Sequence, residues 1–213
     1  MKNNRTVVMI ILAFVILIGG AGFLYNSLAK NYQRDSFVTV NPNKDVESLN
    51  ADNDISNDST LAHSHAEEEE SKETQPAPDF TVYDAAGKKI NLSDYLGKPV
   101  VLNFWASWCG PCKSEMPGFD NLYKEYGDSV EFLMVNLTDG MQETQEKADN
   151  FMKEEGYSFP IYYDHDSSAA YTYGISSIPT TFLINTEGNI EAYAMGAISE
   201  DALENALDMI VEK

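Results

Sequence analysis

Cysteine occurs only twice in 213 residues, too few for the several bridges that staple a small secreted domain. The pair also falls short of a zinc centre. Structural zinc normally takes four ligands, yet no second cysteine pair exists, and the three histidines are His63 and His65 in a polar tract and His165 far downstream. Arginine stops at residue 34. From 76 to 213 the chain carries eight lysines, no arginine and 23 acidic residues, a formal balance of −15 within a total of −20. Such a surface suits nucleic acid poorly, because that binding relies on basic contacts to phosphate, and it reads most simply as a soluble acidic face. No glycine-rich nucleotide loop offers a second chemistry.

What is present sits in one place. Both cysteines fall in Trp108-Cys109-Gly110-Pro111-Cys112, directly after the apolar run Val100 to Ala106. The spacing predicts a buried strand giving way to a helix at the first cysteine. Two thiols three positions apart at a helix start can close reversibly, and the unpaired backbone N–H groups there favour a thiolate on the first. The pair therefore reads as a redox dithiol that needs no cofactor beyond its own disulfide and no metal. A purely structural bridge is the competing reading, but closing so small a ring removes little unfolded-chain entropy.

Phe104-Trp105-Ala106-Ser107-Trp108-Cys109-Gly110-Pro111-Cys112-Lys113 resembles the active-site segment of thioredoxins, and Ile178-Pro179-Thr180-Thr181-Phe182 resembles their cis-proline loop. Asn103-Phe104-Trp105, the continuation Lys113 to Pro117 and an extra segment near 138 to 163 are similar to the membrane-anchored TlpA/ResA-like branch. The resemblance covers about residues 76 to 212. It implies an α/β, three-layer, thioredoxin-like fold with a central mixed sheet, an N-terminal hairpin and an α/β insertion. The function it implies is an extracytoplasmic thiol-disulfide oxidoreductase that exchanges disulfides with cysteine-containing client proteins. Reduction in cytochrome c maturation, with electrons from a membrane donor, is the narrower form of that expectation. A thiol peroxidase and a non-enzymatic tethered binding or chaperone module are the alternatives. For the peroxidase, Leu102 and Ala106 stand where its customary Pro-x-x-x-Thr-x-x-Cys context would place proline and threonine.

Taken in order, Lys2 and Arg5 precede Val7 to Tyr25, 19 residues without a charge, long enough to approach the ~30 Å hydrocarbon core as one helix. Residues 1–30 thus read as a membrane anchor with the catalytic domain outside the cytoplasm. Cleavage after Ser27-Leu28-Ala29, giving a secreted protein, is the alternative. Residues 31–75 hold eleven acidic side chains and too few apolar ones to form a face, the pattern of a flexible linker. A redox domain spans 76–213. In it, Phe80, Val82, Ile90 and Leu92 flank a turn at 84–88 and predict a small hairpin sheet in front of the core. Helices are expected over 111–126, 141–155 and 167–173. Strands are expected over 130–137, 159–163, 180–184 and 190–194, with a final helix capped by Ser199.

Within the site, Cys109 is expected to be the nucleophile and Cys112 the resolving thiol, with Gly110 and Pro111 keeping the turn compact. Trp108 reads either as an exposed wall or as a core aromatic. Pro179 reads either as a cis proline, with Ile178 and Thr180 flanking a substrate-docking point as the resemblance implies, or as an ordinary strand-start proline. Thioredoxins place an aspartate where this chain has Asn103, which cannot titrate. Glu115 is then the nearest acid to Cys112 in sequence, either a proton relay or a solvent-facing helix residue.

Overall fold

The run from residue 100 to 105 is apolar at every position except Asn103 because both of its faces are covered. Val101 and Trp105 enter one buried cluster, Val100, Leu102 and Phe104 the other. A computed structural model describes residues 37–39 and 75–211. The stretch 7–25, the cleavage candidate at Ala29, and His63 and His65 lie outside the described residues.

Among the described residues eight strands form one mixed sheet: β1 (Val38–Thr39), β2 (Thr81–Tyr83), β3 (Lys89–Asn91), β4 (Val100–Trp105), β5 (Glu131–Asn136), β6 (Ile161–Tyr163), β7 (Thr180–Ile184) and β8 (Ile190–Met195). Their order across the sheet is β1-β8-β7-β4-β5-β6-β2-β3. Strand β4 runs parallel to β5 and antiparallel to β7. Helices α1 (Gly110–Tyr126), α2 (Gln145–Glu155) and α4 (Glu200–Leu207) contribute to the cluster on one face, and α3 (Ser168–Thr172) to that on the other. This is the three-layer thioredoxin-like arrangement.

Several boundaries differ from the sequence reading. The hairpin β2–β3 is not a separate small sheet, since β2 joins β6 at the single pair Tyr83 and Tyr163. Val38 and Thr39, within the tract read as linker, pair with Tyr193 and Ala192 and so cover the edge of β8, an edge that would otherwise leave backbone groups unpaired. Helix α2 starts at Gln145 rather than 141, because Thr144 caps it and Gly140, at φ +74°, belongs to a loop before it. Helix α1 runs through Pro117, an exposed residue.

Candidate active site

Cys109 is the N-cap of α1 and is disulfide-bonded to Cys112, with the two Cα atoms 5.2 Å apart. The Cys112 N–H donates to Cys109 Sγ at 3.2 Å, so the first sulfur takes the place that a serine or aspartate oxygen holds at an ordinary helix start. Pro111 falls in the opening turn, where no N–H is needed. Both cysteines are buried. Cys109 keeps 4 % of its surface and Cys112 none, while Trp108 beside them is 49 % exposed and forms the outer wall. Trp105, by contrast, is wholly internal.

The Ile178–Pro179 peptide is cis. That loop reaches the cysteines directly, with Cys109 Sγ 3.7 Å from the Ile178 carbonyl oxygen. Thr180 is buried at the start of β7 and turns its hydroxyl to the Ser177 carbonyl at 2.8 Å, which leaves Ile178 as the flanking side chain with surface to offer.

Glu115 is not solvent-facing. It lies one turn beyond Cys112 on α1, 4 % exposed. One carboxylate oxygen accepts from Asn103 Nδ2 at 2.9 Å and the other from the Ile198 N–H at 3.0 Å. Asn103 Nδ2 also donates to Thr181 Oγ1 at 2.9 Å. Burial pushes the Glu115 pKa up to about 7, partly offset by the hydrogen bonds from Ile198 and Asn103. Asn103 thus holds the carboxylate that it cannot itself supply. Residues i and i+3 are neighbours on a helix, so the structure brings Glu115 to the Cys112 side of the pair.

A second buried carboxylate was not legible. Glu143 lies in the stretch expected as a helix over 141–155, yet it precedes that helix and is 0 % exposed. It accepts from the Ser107 N–H at 3.2 Å, from Ser107 Oγ at 2.8 Å and from Asn136 Nδ2 at 2.9 Å. The available signal was the turn pair Asp139-Gly140 followed by the cap Thr144, which together mark 139–143 as a loop. Among the described residues no group of three or more His, Cys, Asp or Glu side chains is arranged to hold a metal ion.

A disulfide-forming Cys-x-x-Cys pair at the head of the helix after the central strand, faced by a cis proline, defines a thioredoxin-like thiol-disulfide oxidoreductase. Comparison with known proteins narrows the class. The AhpC/TSA family pattern matches residues 74–193, and the chain belongs to that family, close to the ResA-like oxidoreductases. It is 40 % identical over 146 residues to the thiol-disulfide oxidoreductase ResA of Bacillus subtilis, covering 68 % of this chain and 79 % of that protein. The crystal structure of StoA from Bacillus subtilis superposes with a TM-score of 0.53 at 34 % identity, covering 62 % of this chain and 98 % of that one. The pneumococcal exposed lipoprotein thioredoxin of Streptococcus pneumoniae gives 0.52 at 35 % identity, with the same coverage.

Proposed function

We propose that this protein is a membrane-tethered, extracytoplasmic enzyme that reduces disulfides in cysteine-containing client proteins, with Cys109 attacking and Cys112 resolving. The observation that carries the reading is the Cys109–Cys112 bridge at the helix start, held against the Ile178–Pro179 loop. In the reduced enzyme the Cys109 thiolate attacks a client disulfide, forming a mixed disulfide and releasing one client thiolate. Cys112 then gives its proton to the Glu115 carboxylate and attacks Cys109 Sγ. The internal disulfide forms, the second client thiolate leaves, and two electrons have passed to the client. A membrane dithiol donor returns the enzyme to its reduced form. Trp108 and Ile178 flank the approach to Cys109, and the backbone around Pro179 docks an extended client segment. Apocytochrome c is the client that the resemblance to the ResA-like branch implies.

Peroxide chemistry is disfavoured, since Leu102 and Ala106 are wholly buried apolar residues where that chemistry calls for proline and a hydroxyl. The test is client trapping combined with insulin reduction by the full chain. Cys112→Ser should accumulate a client on Cys109, whereas Cys109→Ser should capture little. Mass spectrometry finding Cys112 as the first attachment site, or peroxide turnover outpacing insulin reduction, would refute the assignment.

A further inference from the structure

We propose that Glu143 is a positioning residue that, through Ser107, holds the turn presenting Cys109 to a client disulfide. This deepens the reading of Cys109 as the attacking thiol and rests on it. Ser107 stands two residues before Cys109, in the short turn between β4 and α1. Its own side of that turn is closed by the Cys109 N–H donating to the Ala106 carbonyl at 3.1 Å. The other side is closed from outside, by Glu143 accepting from both the N–H and the hydroxyl of Ser107.

The segment that delivers Glu143 is built around it. Asp139 Oδ1 accepts from the Met141 and Glu143 N–H groups at 2.8 and 2.9 Å. The Gly140 N–H closes on the Glu143 carbonyl at 2.9 Å, and Thr144 caps α2 immediately afterwards. As a result Met141, on the outside of the loop, is 84 % exposed while Glu143 is 0 % exposed. Asn136, which donates to Glu143, ends β5 and is itself held by Thr138 Oγ1 donating to its Oδ1 at 2.9 Å. Strand β5 is thereby tied to the turn ahead of the cysteines at the level where Trp105 pairs with Asn136.

Filling space would need only an apolar side chain. Burying a carboxylate is costly unless its hydrogen-bonding geometry is used, and here each partner is a donor that fixes the loop. Cys112 does not depend on this strut, because α1 carries it. Glu143 and Ser107 should therefore govern formation of the mixed disulfide, in contrast to Glu115, which faces its resolution.

The experiment is stopped-flow reaction of the reduced full-length chain with a defined disulfide peptide, resolving attachment and release. Ser107→Ala and Glu143→Ala should slow attachment roughly three- to tenfold, with a smaller effect on release. Glu143→Gln should restore attachment, since its amide oxygen still accepts from Ser107 N–H and Asn136 Nδ2 and its NH2 can donate to Ser107 Oγ. Wild-type attachment rates in Ser107→Ala, or Glu143→Gln slowed as much as Glu143→Ala, would overturn the proposal. Should Glu143→Ala fail to fold, Ser107→Ala and Glu143→Gln decide it. Wild-type protein that forms no mixed disulfide on Cys109 would instead remove the underlying reading, and the positioning role with it.

Discussion

At the scale of single residues the proposed relay turns on Glu115, whose pKa burial raises to about 7. A relay for Cys112 must be ionised to accept, so resolution of the mixed disulfide should speed up as pH rises through about 7. Glu115→Gln should lose that inflection and slow resolution more than attachment, by roughly 10- to 100-fold at neutral pH. Equal rates in the two proteins, with folding unchanged, would leave water as the proton path. The same shift has a stability consequence of definite sign. The native pKa lies above the ordinary 4.5, so between those values the folded state holds a proton that the unfolded chain has released. This contribution is fully present at acid pH and declines until pH passes about 7, by on the order of 2 to 4 kcal/mol. Glu115→Gln should flatten that decline in denaturant titrations compared at pH 5 and 8. The substitution can be accommodated, since a flip of the Asn103 amide breaks no bond of its Oδ1, which has no hydrogen-bond partner among the described residues. A flipped Asn103 amide oxygen would accept from the new Gln amide and from Thr181 Oγ1, whose hydroxyl turns from accepting to donating, and would leave the Gln oxygen for the Ile198 N–H. An unchanged slope would sink the burial argument.

At the scale of elements, the parts easiest to read in the sequence were those whose signal is local. The run 100–105 announced a strand covered on both faces, and Asp84 to Lys88 announced a hairpin whose Asp84 carboxylate accepts from Ala86 and Lys88 N–H groups at 2.9 Å. Pairings between distant segments were not legible. A two-residue strand at Val38 leaves no periodicity, and β2 meets β6 through one pair only. The site divides the same way: the cysteines and Pro179 carry recognisable local patterns, whereas Glu115 and Glu143 owe their burial to elements far along the chain. Gly118 on α1 is a further case, a residue that looks unsuited to a helix interior until its neighbour is seen. A Cβ there would lie 3.0 Å from the Glu200 Cβ and 3.2 Å from its Cα at the start of α4. The obstacle includes backbone, and Asn121 Nδ2 donates to Glu200 Oε2 at 3.0 Å nearby, so the helices have little freedom to separate. Gly118→Val should cost about 1 to 3 kcal/mol through overpacking despite the removal of a glycine from a helix. Chemical denaturation of the full chain showing equal or greater stability would contradict so close a helix contact.

For the whole molecule the question is where this acidic redox domain works. No helix among the described residues is long and apolar enough to cross a membrane, so the proposed attachment rests on the 19 uncharged residues from Val7 to Tyr25. As a helix at 1.5 Å per residue they would span roughly the hydrocarbon thickness, and they exceed the apolar core of an ordinary cleaved signal. Lysine and arginine do not fix the orientation, because Lys2 and Arg5 on one side face Lys30 and Arg34 on the other. Redox chemistry favours the outside, where disulfides form and persist and a reductase has substrates. The full-length protein should therefore stay with carbonate-washed membranes, and protease added to intact cells should digest the domain from Pro76 onward. Digestion only after the membrane is opened would place the domain on the cytoplasmic side. A soluble product whose N-terminus maps to Lys30 would show cleavage after Ala29. The protein would then act as a diffusing exchange catalyst, no longer held beside a membrane electron donor.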